Sequence, residues 1–279
     1  MKSIGLKSIL VATFLMLIGS HAFALQSEKA IFSNSRKAFK SAQYQKSVEI
    51  LNSINKSSLR WPLAKEEKAW AYFRLKNFAL AMSEVRSLTN NYMNFHIDLE
   101  PYLLQSLILL YNCDYKAIFK VIKELKSTMS PYVVAMESLS TGRFNADQSS
   151  AINTLIDKES FKHLTPKQMN QLPRRFYLDK TVNAAIKSGN TYSLRDRMVS
   201  LARKDDMKNQ KMLQYLHLIE VEAIQRAFVP NQFNGVAKTK VSKDRNTMVF
   251  NNDQELWADE IDKTQADLNI CASKTGKTL

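Results

Sequence analysis

Along most of the chain apolar side chains return every three or four residues, in stretches of ten or more separated by short polar corners. That period is the signature of amphipathic helices. Ile31, Phe32, Ser35, Ala38 and Phe39 line one such stretch; Gln43 and Tyr44 mark a corner, and Ser47, Val48, Leu51 and Ile54 line the next. Ser58 to Pro62 interrupts the pattern, with Pro62 suited to the first turn of a new helix. Residues 62–75 and 78–89 then form a second pair around Lys76-Asn77. Asn90-Asn91 and Asp98 to Pro101 mark a longer connection, and a third pair covers 101–112 and 115–128 around the corner Asn112 to Tyr115.

Beyond residue 130 the spacing loosens. Pro131 to Leu139 reads as a short helix, Ser140 to Ser149 as a polar link and Ala151 to Leu164 as another helix. Thr165-Pro166-Lys167-Gln168 carries a capping box with proline at the first helical position. Pro173 stops or kinks that segment. Phe176 to Ser188 continues helically, and Gly189 stands where a helix closes on glycine. The longest pattern runs from Ser193 to about Phe228. Its apolar face is Leu194, Met198, Leu201, Met212, Leu216, Ile219 and Ile224, and its polar centre, Arg203 to Lys211, is expected to be exposed or bent. Pro230 ends it. Val236 to Asn246 is a polar, basic linker, and apolar content returns in Phe250, Leu256, Trp257 and Ile261.

Sustained β-branched alternation is absent, and 279 residues contain only six glycines and six prolines, so turns are short and the class is all-α. Tyr44, Phe78 and Tyr115 occupy equivalent corners 34 and 37 residues apart, and each follows a small residue by nine positions: Ser35, Ala69 and Ser106. Ser47 and Ala81 keep a small side chain three residues after the corner, where Ile118 departs from the pattern. No glycine stands in any of the three turns. With Ala69 to Ala81 as its clearest copy, this register resembles the tetratricopeptide repeat, a 34-residue helix-turn-helix unit. The resemblance implies a right-handed superhelical array over residues 25–130, continued by packing or capping helices over 131–235, with a linker and tail at 236–279. The run Glu255 to Ile261, followed by Cys271, resembles the tail of some exported bacterial proteins of this type.

Residues 1–24 have a basic start, an apolar run from Ile9 to Ile18 and the motif Ala22-Phe23-Ala24, which describe a secretory signal peptide. Cleavage leaves no later window apolar enough to span a bilayer. The expected address is the bacterial periplasm. A net charge of +14 then points away from nucleic acid and toward acidic proteins, anionic head groups or cell-wall polymers. Two cysteines, Cys113 and Cys271, allow one disulfide in an oxidising compartment or two buried free thiols.

No catalytic constellation stands out. His96, His163 and His217 lack partners at metal-ligand spacing, and neither a phosphate loop nor a nucleophile elbow occurs. No metal, cofactor or enzymatic activity is expected. The resemblance implies instead a concave face that receives a peptide or protein, an acidic one being among the candidates, on Arg36, Lys40, Trp70, Arg74 and Tyr111. Cations there supply charge-assisted hydrogen bonds and the rings supply desolvated area. The alternative is an envelope-associated structural protein that meets anionic lipid or cell wall through its basic surface.

Overall fold

The computed structural model describes residues 28–228, apart from 91, 92, 94 and 95. The described residues form ten α-helices and two single 3-10 turns, and no strand. They are α1 (28–40), α2 (Tyr44–Leu51), α3 (Trp61–Arg74), α4 (Phe78–Leu88), α5 (Glu100–Tyr111), α6 (Tyr115–Ser140), α7 (Ala146–Lys158), α8 (Pro166–Met169), α9 (Lys180–Lys187) and α10 (Thr191–Phe228). The all-α class read from the sequence is present, and short turns separate α1 from α2, α3 from α4 and α5 from α6. The chain divides into two compact units, Met1–Ala81 and Met82–Leu279, with the division inside α4.

In the first unit, α1, α2 and α3 enclose a core of Phe32, Leu51, Ile54, Leu63 and Ala64, flanked by Ile31 and Trp61. The small side chains do what the hairpin pattern requires. Ser35 and Ser47 are fully buried, and their hydroxyl oxygens lie 2.8 Å apart, so α1 and α2 approach to side-chain hydrogen-bond distance. Ala69 and Ala81 are likewise fully buried. Phe78 sits at its corner against Phe73, with ring centroids 5.7 Å apart.

The corners share one backbone solution. Ala42, Lys76 and Cys113, each two residues before the corner aromatic, have φ of 57°, 58° and 59°. At each, two hydrogen bonds close the preceding helix: Ala42 N–H to Phe39 O and Gln43 N–H to Ala38 O, Lys76 to Phe73 and Asn77 to Tyr72, Cys113 to Leu110 and Asp114 to Leu109. This is the closure that normally recruits glycine, because a left-handed residue satisfies the orphan carbonyls of the last turn. Gly189, φ 65°, does the same between α9 and α10, through Gly189 N–H to Ile186 O and Asn190 N–H to Ala185 O. Asn77, Asp114 and Asn190 follow their left-handed residues and cap the next helix by accepting from Leu80, Ala117 and Ser193.

In the second unit, α10 packs along α5, α6, α7 and α9. The second half of the chain departs from the sequence reading at four places. Residues 115–140 form one helix, not two, with Pro131 inside it and exposed. Leu125, Met129, Tyr132, Ala135 and Met136 are all buried, so one apolar stripe runs past the proline and holds the helix together. Helix α7 starts at Ala146 within the expected polar link. Its start is a capping box in which Asn145 accepts from Gln148 N–H and the Gln148 side chain accepts from Asn145 N–H. Phe176–Leu178 is a 3-10 turn, and Asp179 caps a separate α9. The polar centre of α10 is neither looped out nor broken: the helix is continuous, and part of that centre faces inward. The capping box at Thr165 and Gln168 forms as expected, although its helix is four residues long.

Candidate functional site

The binding residues implied by the hairpin resemblance are Arg36, Lys40, Trp70 and Arg74 in the first unit, and Tyr111 in the second. Arg36, on α1, donates from Nε and Nη2 to Oε1 of Glu67 on α3, at 3.0 and 2.6 Å. Glu67 is 1% exposed, so this ion pair compensates a buried carboxylate and ties α1 to α3. Arg74 donates to the Tyr44 hydroxyl at 2.7 Å, and its guanidinium lies 5.1 Å from that ring's centroid. The cation thereby links the end of α3 to the start of α2. Trp70 is 4% exposed and meets Phe73 edge-on, with centroids 6.0 Å apart. Lys40 is exposed at the end of α1, and Tyr111 is half-buried at the end of α5. Of the five, then, Arg36 and Arg74 join helices, Trp70 is packed and Lys40 stands in solvent.

The strongest concentration of polar chemistry lies elsewhere, within the second unit. Asp98 and Glu100 precede and begin α5; Tyr132 comes from α6; Arg174 and Arg175 lie on the segment before the 3-10 turn; Asp205, Lys208 and Asn209 come from α10. Lys208 Nζ reaches Asp98 Oδ2 at 2.9 Å and Glu100 Oε2 at 2.5 Å. Asp98 also accepts the Glu100 N–H at 2.9 Å. Burial raises the Asp98 pKa, but Lys208, Arg175 and that N–H outweigh burial and hold the carboxyl well below the usual carboxylate range.

Asp205 has the opposite balance. Its Oδ2 accepts the Tyr132 O–H at 2.8 Å and the Arg174 backbone N–H at 2.7 Å. Burial nevertheless dominates, with the negative Asp98 adding to it, and its pKa is pushed up to about 6. The Arg174 guanidinium stacks 3.8 Å from the Tyr132 centroid and donates to Asn170 Oδ1 at 3.4 Å. Arg174 Nε and Nη1, and both polar side-chain atoms of the buried Asn209, have no hydrogen-bond partner among the described residues. Beside the cluster, His96 Nδ1 and the Tyr177 hydroxyl are 2.9 Å apart. Burial, and then the charge of Arg174, lowers the histidine's pKa.

Such a cluster holds a carboxyl able to exchange a proton near neutral pH, set among buried and half-buried groups. A titratable group of this kind suits acid–base work where substrate can reach it. Here its immediate task is structural, because one short stretch of α10 pairs with the carboxylates at the start of α5 and accepts hydrogen bonds from Tyr132 of α6 and the Arg174 N–H. Sequence reasoning missed it because the pairs that join its elements, Arg174–Asp205, Tyr132–Asp205 and Asp98–Lys208, are 31, 73 and 110 residues apart. The visible signal was the polar centre of α10: a stretch flanked on both sides by buried apolar faces is placed to be buried itself.

No family model, curated protein or solved structure matches this chain. The tetratricopeptide resemblance therefore rests on the register of the sequence alone.

Proposed function

We propose that this protein is a non-catalytic interaction scaffold of the tetratricopeptide-like kind, exported to the bacterial periplasm, that binds a protein or peptide partner. The observation that carries the reading is the recurrence of one helix-closing turn at Ala42, Lys76, Cys113, Gly142 and Gly189. Three of the five, those at the hairpin corners read from the sequence, keep that turn without glycine. Repeated helical hairpins bury apolar faces only against their neighbours, and the outward face is left for recognition. Export is supported by the signal-like first 24 residues.

The geometry changes how the partner site is tested. Replacing Arg36 by glutamate sets a second negative charge against buried Glu67, so lost binding in that variant would report unfolding. Lys37 and Lys40 are exposed on α1 and serve better. Mature protein, immobilised and exposed to periplasmic extract, is expected to retain a specific partner that Lys37→Glu/Lys40→Glu releases while keeping wild-type helicity. Equal retention by both forms would count against the α1 face, and no retained partner against the scaffold reading.

A second reading, attachment to the cell envelope, is favoured by one observation. Lys116, Lys120 and Lys123 form an exposed stripe on the solvent side of α6, with Lys126 beside it. Sedimentation with anionic vesicles that is lost at ~0.5 M salt, where the Debye length falls to a few ångströms, would support it.

A further inference from the structure

Asp205 and Asn209 fall on the inward line of α10. Ala202, Asp205, Asn209 and Met212 recur at steps of three and four, so two polar side chains stand where the helix elsewhere places apolar ones. Residues four apart on a helix are neighbours, with Cβ atoms about 5–6 Å apart. Asn209 is 1% exposed, and neither its amide nitrogen nor its amide oxygen has a hydrogen-bond partner among the described residues. Such an amide is unfavourable, because it has lost its water without a replacement.

A second unmet group flanks the same carboxylate. The Arg174 backbone N–H and the Tyr132 hydroxyl both donate to Asp205 Oδ2, and the Arg174 guanidinium stacks on the Tyr132 ring, 3.8 Å from its centroid. Arg174 is 6% exposed, and its Nε and Nη1 have no hydrogen-bond partner among the described residues. Its Nη2 makes one long bond, 3.4 Å, to the neutral Asn170. Lys208, by contrast, is shared between Asp98 and Glu100. Burial lowers the Arg174 pKa although Tyr132, Asp205 and Asp98 act the other way. A buried cation whose free donors meet no carboxylate calls for an anionic acceptor.

We propose that Arg174 and Asn209 form a buried binding site for a small monoprotonated oxyanion such as hydrogen carbonate. Its oxygens accept from the guanidinium and from Asn209 Nδ2, and its O–H donates to Asn209 Oδ1. Each unmet atom thereby gains a partner of the right kind. All of these residues belong to the second unit, so the site stands apart from the α1 face and does not rest on the scaffold reading.

The test follows the carbon line width of 13C-labelled hydrogen carbonate titrated against the full chain, at a pH where that ion is the main carbon species. Saturable broadening is expected with the wild type, and binding about tenfold weaker or more with Arg174→Met and with Asn209→Leu. Asn209→Leu replaces an unpartnered amide by an apolar side chain of similar size, so it is expected to keep the α-helical signal and decides the matter if Arg174→Met unfolds. Lys116→Glu/Lys120→Glu/Lys123→Glu is expected to bind as the wild type does. Formate, which has no O–H for Asn209 Oδ1, is expected to bind more weakly. No saturable binding would show that water alone meets these groups and would overturn the site. Unchanged binding in folded Asn209→Leu, or loss in the lysine variant instead, would overturn it as well. Formate binding as tight as that of hydrogen carbonate would overturn the donor–acceptor match at Asn209.

Discussion

Lys76 and Gly189 have nearly the same backbone conformation, φ 58° and 65°, with opposite side-chain consequences. A non-glycine residue in the left-handed region carries a Cβ–carbonyl conflict of about 1–2 kcal/mol that glycine lacks. Lys76 is exposed, so Lys76→Gly removes the conflict without disturbing the core and is expected to stabilise by roughly 0.5–1 kcal/mol. Gly189→Ala is expected to destabilise by about 1 kcal/mol. A Cβ there meets no atom within 4 Å, so its cost is conformational alone. Urea unfolding of both variants checks the pair, and equal signs would refute the common turn. At buried small positions the limit is volume instead. Ala69 is fully buried, and Ala69→Leu is expected to cost about 1–3 kcal/mol through overpacking, read in the same assay.

At the scale of elements, α10 is held in register by charge as well as by apolar packing. Lys208→Met would leave Asp98 and Glu100 facing each other with their shared cation gone. The expected loss is about 3 kcal/mol or more, far above that of an exposed lysine, because buried carboxylates are left uncompensated. Its measurement is denaturant unfolding followed by far-UV circular dichroism, with Lys204→Met as the exposed control. Asp205 gives a pH signature of definite sign. Its folded pKa, about 6, lies above the ordinary 3.8, so the folded state holds a proton that the unfolded chain has released. That contribution is full below about 3.8 and is lost as pH rises through about 6, with a slope of at most ~1.4 kcal/mol per pH unit. Asp98 works the other way: its depressed pKa stabilises above the ordinary carboxylate range and is lost on acidification. Between pH 4 and 6, wild-type stability should therefore fall relative to Asp205→Asn. A constant difference between the two across that range would show that Asp205 does not titrate there.

For the whole molecule, charge governs encounter. Much of the +14 is spread over exposed lysines such as Lys37, Lys40, Lys116, Lys120 and Lys123. Association with any acidic partner or anionic surface should consequently accelerate as salt is lowered. Lys116→Glu/Lys120→Glu/Lys123→Glu is expected to reduce binding to anionic vesicles by tenfold or more at low salt. If binding persists in that variant, the α6 stripe is only a solvated helix face.

What the sequence by itself determined follows from local periodicity. Apolar spacing, scarce glycine and proline, and small residues nine positions before each corner aromatic define the helices between 28 and 88 and the turns that join them to within a few residues. The capping box at Thr165 and the closure at Gly189 were also legible, because caps depend on neighbours four or fewer residues away. Tertiary structure alone decided the rest. Pro131 and the polar link at 140–149 look like breaks until the buried stripe of α6 and the cap at Asn145 are seen. The contacts of Arg36, Trp70 and Arg74 with Glu67, Phe73 and Tyr44 were likewise invisible until the helices packed. The polar centre of α10 looks exposed until Asp98, Glu100, Tyr132 and Arg174 arrive from three other segments. The physical reason is common to all of these. A helix's period is encoded locally, whereas the partner of a buried charge or ring is fixed only when distant helices pack.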